Sequence, residues 1–151
     1  MNELKERIRT DINAAMRARD QVRLRALRMA LTSIQNEEVS GKSAKELSDD
    51  DVVKILTRET KKRREAAEAF ESAGRADKAA DERAEGEVLA EYLPAQLTDE
   101  ELTRLVAAAI EQTGADGMSG MGTVMKVVTP QTAGRADGGR VAAEVRRQLA
   151  G

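Results

Sequence analysis

The sequence predicts an all-helical fold, and three observations carry that prediction. The apolar residues are almost entirely Ala, Leu, Val, Ile and Met, with one Phe and one Tyr in 151 residues. Strands favour β-branched and aromatic residues, so this composition suits interlocking helices better than a sheet. The apolar positions recur at three- and four-residue intervals, the period of a helix face. Cap and stop signals then divide the chain into segments of helical length. Charged residues make up 34% with a net charge of −2, the balance expected of solvated helix surfaces.

Leu4, Ile8, Ile12 and Met16 share one face of a first helix, and Asp20 marks a break or a new N-cap. Leu24, Leu27, Leu31 and Ile34 line a second helix that ends near Ser40 and Gly41, followed by a polar loop over 41–48. Ser48 with Asp51 forms a weak capping box, and Asp49, Asp50 and Asp51 suit the positive end of a helix dipole. The third helix carries Val52, Ile55, Leu56 and Phe70 and stops near Gly74. A fourth runs from about Asp77 to Leu93, with Ala84, Val88, Leu89, Tyr92 and Leu93 inward, and Pro94 ends it. These four helices are expected to fold as hairpins into an N-terminal domain over 1–93.

Residues 94–97 read as a short linker to a tail domain over 98–151. Thr98 with Glu101 is a capping box, and Leu102, Leu105, Val106, Ala109 and Ile110 form the apolar face behind it. Gly114 is placed as a C-cap. A short helix over about 121–128 is expected to halt before Pro130, and Val141, Val145 and Leu149 mark the last helix. The tail is thus a three-helix unit near the lower size limit for independent folding.

Several function classes fall away. The chain has no Cys and no His, so disulfides, thiol chemistry and the commonest general base are absent. No Gly-x-Ser-x-Gly elbow occurs, and no catalytic residue, cofactor site or self-contained active site is predicted. Asp77, Asp81 and Glu85 share a helix face, but Lys78 and Arg83 lie beside them, so a solvated face is expected rather than a metal site. Gly117, Gly120 and Gly122 follow no strand, and the stretch GRADGGRV at 134–141 lacks the Gly-Lys-Ser/Thr ending of a phosphate loop. The basic run Lys61–Arg64 pairs on paper with Glu65 and Glu68, which reads as a salt-bridged face before an RNA site. A charged N-terminus and the lack of a spanning apolar segment point to the cytoplasm and away from a membrane.

What remains is a modestly basic end. Residues 120–151 hold Lys126, Arg135, Arg140, Arg146 and Arg147 against Asp137 and Glu144. Arg140, Glu144 and Arg147 share the face opposite the Val141–Val145–Leu149 stripe. With so few aromatics to stack bases, any RNA contact here would be to the phosphate backbone. Within GRADGGRV, Gly134 permits a bend and Asp137 is placed to cap the last helix, with Gly138 and Gly139 in its first turn. The earlier GRAD at 74–77 is expected to do the same.

Met121-Gly122-Thr123-Val124-Met125, Pro130, Gly134-Arg135-Ala136-Asp137-Gly138 and Val141 resemble the tail domain of the GatB/YqeY family. Leu27-Arg28, Asn36-Glu37, Gly74-Arg75-Ala76-Asp77 and Tyr92-Leu93-Pro94-Ala95-Gln96-Leu97 resemble the YqeY proteins in particular. The resemblance implies an all-helical protein with a helical N-terminal half and a three-helix tail. Its structural motif falls on Gly122, Pro130, Gly134, Asp137 and Gly138. It implies a tRNA-binding accessory of amidation or aminoacylation, with glutaminyl-tRNA synthetase or an amidotransferase as partner. Lys126, Arg135, Arg140 and Arg147 would face the tRNA. The family-level activity is that of a carbon–nitrogen ligase with glutamine as amido-N-donor, a tRNA amino-acid amidase, expected of a complex. Family members often carry Lys after the proline, where this chain has Gln131 and Thr132, and Arg135 retains one charge. The alternative expectation is a protein-interaction module presenting its third and fourth helices to a synthetase or amidotransferase.

Overall fold

A computed structural model describes residues 2–151, and among them every regular element is helical. Residues up to Leu93 form one compact unit and Pro94–Gly151 another. The first unit holds α1 (Glu3–Ala18), α2 (Gln21–Glu38), α3 (Asp49–Ser72) and α4 (Ala76–Ala90). The second holds α5 (Asp99–Thr113), a 3₁₀ turn at Met118–Gly120, α6 (Met121–Thr132) and α7 (Gly138–Ala150).

In the first unit the helix starts are chemically defined. Asn2 caps α1 by accepting from the Lys5 amide at 2.9 Å, and its side-chain amide donates to the Leu47 carbonyl at 2.8 Å. That second bond ties the start of α1 to the end of the polar loop. Arg19 closes α1 in the left-handed conformation (φ 59), and Asp20 then caps α2 through the Arg23 amide at 3.1 Å. Ser48 and Asp51 form the full capping box, both bonds at 3.1 Å. The core joins Ile8, Ile12, Leu24, Leu27, Ile34, Leu47, Val52, Ile55, Leu56, Leu89 and Tyr92.

The predicted α1 stripe drifts off this core. Ala15 is buried and Met16 is 43% exposed. Four-residue steps overrun a 3.6-residue turn by about 40° each, so the third step leaves the buried face. At the other end, α4 stops at Ala90, short of Leu93. The amides of Glu91, Tyr92 and Leu93 bond carbonyls three residues back, at 3.3, 3.1 and 3.1 Å. This tightened turn is a common way to end a helix. Gly74 makes the expected left-handed stop (φ 76), but the N-cap of α4 is Arg75, without a side-chain bond, and Asp77 lies inside the first turn.

The core of the second unit is Leu97, Leu102, Val106, Ala109, Val124, Val128, Ala136, Val141 and Val145. Thr98 caps α5 through the Glu101 amide at 3.1 Å, and Gly114 ends it at φ 67. Residues 94–97, read as a linker, are partly built into this unit. Leu97 is buried with its amide on the Arg135 carbonyl at 2.8 Å, and Gln96 reaches the Gly134 carbonyl at 2.8 Å. Gly120 is required by close packing, since a Cβ there would sit 2.6 Å from the Ala115 Cβ.

One expectation is corrected. The helix expected to halt before Pro130 runs through it to Thr132. A proline removes one helical hydrogen bond and crowds the preceding turn. Here the ring is exposed and close to the helix end, where few bonds remain to be lost. Val124, Val128 and Thr132 are all buried on one face, and the Thr132 hydroxyl donates to the Val128 carbonyl at 2.9 Å. That burial holds the last turn in place against the cost of the proline.

Candidate nucleic-acid interface and a buried charge network

The cations of residues 120–151 divide into two kinds. Arg140 donates to Asp99 at 2.7 Å, so its charge is matched by the first residue of α5. Arg147 makes a two-pronged contact with Glu144, at 2.9 and 2.6 Å, and Gln148 adds a bond to the same carboxylate at 2.6 Å. The Arg147 bonds hold the Glu144 carboxyl far below its usual range, at about 2. Both arginines can meet a phosphate only by exchanging one anion for another.

Lys126 and Arg146 are different: both are exposed, and neither makes an ion pair or a side-chain hydrogen bond among the described residues. Lys126 sits on α6 midway between buried Val124 and Val128, which turns it away from the core. Arg135, in the turn before α7, donates to the Ala95 carbonyl at 3.3 Å. A carbonyl carries no net charge, so this guanidinium stays uncompensated. The residue pattern singled out Arg140 and Arg147 for their shared face, and it left Arg146 outside the predicted set. The signal missed was local: a Glu three residues before an Arg on a helix is already its partner.

Gly134 takes a positive φ of 74, and α7 begins at Gly138. Asp137 occupies the N-cap with an extended backbone, but its carboxylate makes no capping hydrogen bond. That carboxylate stands 3.2 Å from where a Cβ on Gly139 would lie, so the second glycine leaves room for it. Gly122 is exposed on α6 with open space around it.

The basic run at 61–64 holds what the sequence did not reveal. Arg63 is buried between α2, α3 and α4. It donates to the Met29 sulfur at 3.0 Å and lies 3.6 Å from both Glu82 and Glu85. Glu85 is buried too and accepts from Arg25 at 3.1 Å. Buried Glu59 accepts from the Ser33 hydroxyl at 3.1 Å and pairs with Lys62 at 3.4 Å. Polar residues thus occupy core positions along α3 below Leu56. The helical face considered as a cation site is dispersed accordingly: Glu85 turns inward, while Asp77 pairs with Arg75 at 3.4 Å. Among the described residues, no group of three or more His, Cys, Asp or Glu is placed to hold a metal ion. Nor is any of their helices long and apolar enough to cross a membrane.

The site therefore defines a two-unit helical protein with a scattered cationic surface on its second unit. The chain belongs to the YqeY-like protein family, whose model matches residues 5–149. No curated protein matches it.

Proposed function

We propose that this protein acts by binding, as a tRNA-contacting accessory of tRNA-dependent amidation or aminoacylation in the cytoplasm. Membership of the YqeY-like family supports the setting, together with the resemblance of residues 121–141 to the tail of the amidotransferase B subunit. The observation that carries the binding mode is the set Lys126, Arg135 and Arg146, three cations within residues 120–151 that have no carboxylate partner among the described residues. Arg140 and Arg147 join them by trading Asp99 and Glu144 for phosphates. Phosphate contacts of this kind position a nucleic acid without reading its sequence. Carbon–nitrogen bond formation with glutamine as nitrogen donor belongs, in this reading, to a partner enzyme, because the chain carries neither His nor Cys. The test is binding of bulk tRNA by fluorescence anisotropy across a salt series. Affinity that falls with a log–log slope of about 0.7–0.9 per phosphate neutralised supports the reading. No binding at low salt contradicts it.

A second reading, docking on a synthetase or amidotransferase through α3 and α4, rests on one observation. Between Glu65 and Asp81 only Ala67 and Ala79 are buried, so the outer part of this hairpin offers most of its surface to solvent. A pull-down whose partners survive nuclease treatment favours it, and loss of every partner removes it.

A further inference from the structure

Two buried side-chain atoms among the described residues lack a hydrogen-bond partner: Arg63 Nε and Glu82 Oε2. Both residues line the same groove between α3 and α4, a cavity of about 280 Å³. Unpaired buried polar atoms are costly and rare, and two in one place call for a cause. Glu82 Oε2 stands 3.6 Å from Arg63 Nη1, and Arg63 Nε stands 3.6 Å from Glu85 Oε2, ion-pair contacts too long to count as hydrogen bonds. The cavity is several times the ~30 Å³ share of a single water, so one bridging water does not fill it.

The walls differ in charge. α3 contributes Arg63 and Arg64, and α4 contributes Glu82 and Glu87. Arg83, also on α4, is drawn off by its ion pair with Glu71. Arg64 is exposed and has no partner among the described residues. Ala90 and Gly86 supply an apolar, uncrowded stretch of the lining. A cationic wall facing an acidic one disfavours a simple anion and a simple cation alike, since each meets a like charge across the groove. It suits a small molecule that carries both signs and no net charge.

The geometry points to a binding site for a small zwitterion of the α-amino-acid class, its carboxylate on Arg63 and Arg64 and its ammonium on Glu82 and Glu87. Carboxylates are matched by guanidinium groups through charge-assisted hydrogen bonds, which are the strong kind. Bound there, the ligand's ammonium supplies a donor to Glu82, and its carboxylate a partner to the exposed Arg64. This site lies in the first unit and stands independently of the tRNA reading.

The experiment is a chemical-shift titration of the full-length protein with L-valine, isobutyrate and isobutylamine. The last two keep the isopropyl group and carry only one of the two charges. Saturable shifts confined to 60–64 and 82–90, with valine tighter than either half-molecule by at least about tenfold, are expected. Arg64→Ala and Gly86→Leu should each abolish them. The first removes an exposed, unpartnered side chain. The second fills the groove where a Cβ meets Arg63 Cβ at an ordinary 3.5 Å, in a helix that favours Leu over Gly. Equal response to all three compounds, no response to valine, or shifts that persist in both variants would overturn the assignment.

Discussion

The hydroxyl of Tyr92 donates to the carboxylate of Asp11, a residue 81 positions earlier, and so fastens the turn after α4 to the middle of α1. Arg23 of α2 reaches the same hydroxyl at 3.3 Å and also bonds Glu91. The Arg7 guanidinium lies 4.4 Å above the ring. Two helices, α1 and α2, are thereby fastened to the turn that follows α4. Tyr92→Phe should cost about 1 kcal/mol of stability, the usual net worth of such a bond. Chemical denaturation of the full-length chain measures it.

The same contact adds to burial in setting the titration of Tyr92. Burial first, and then the bond to Asp11, push its pKa from 10.0 to about 12. A raised folded-state value means the folded protein holds the proton more tightly. Stability from this group is therefore fully present below pH 10.0 and lost as the pH rises to about 12. The chain has one Tyr and no Trp, so tyrosinate absorbance reports this residue alone. Asp11→Asn should move its midpoint down.

Glu144 titrates with the opposite sign. Its pKa falls from 4.5 to about 2, chiefly through the Arg147 hydrogen bonds. Its contribution is present above pH 4.5 and disappears as the pH falls through about 2. Arg147→Ala should flatten the acid limb of the thermal-stability profile over that window. Because the Arg147 side chain is largely exposed and solvent screens the pair, the loss at neutral pH should be small.

Removal of Arg63 is expected to be severe. Arg63→Ala leaves buried Glu85 with one partner and Glu82 with none, which should cost about 3 kcal/mol or more. Replacing Arg63, Glu82 and Glu85 together by Met, Gln and Gln should cost less than the single change, because no buried charge is then stranded. Urea denaturation of both variants checks the order.

Pro130→Ala should stabilise the protein, by about 1 kcal/mol, since it restores a backbone donor within α6. Part of the gain is offset by the greater freedom of the unfolded chain. A shift in the thermal midpoint of the full-length protein shows the sign.

The helices were legible because their ends are written in local chemistry. Ser48, Thr98, Gly74 and Gly114 stop or start helices by interactions within a few residues, and the structure puts each where the sequence did. Pro130 was misread because its cost is local while the burial that outweighs it, at Thr132, depends on packing. Arg63 was misread for the same reason. In the sequence it is the third residue of a basic run, and nothing local says that Met29, Glu82 and Glu85 converge on it. The partners of Arg140 and Arg147 split along this line: Glu144 is three residues from Arg147, whereas Asp99 is 41 residues from Arg140.

The central claim is that uncompensated cations of the second unit hold tRNA phosphates. The direct measurement is the salt dependence of tRNA affinity for the wild type, for Lys126→Ala/Arg135→Ala/Arg146→Ala, and for Arg140→Ala/Arg147→Ala. The account predicts that the triple variant loses the most affinity and lowers the salt slope by about 2–3, one increment of roughly 0.7–0.9 per lost contact. The double variant should lose less, because each of its cations already gives up a carboxylate to bind. Wild-type affinity and slope in the triple variant would contradict the account.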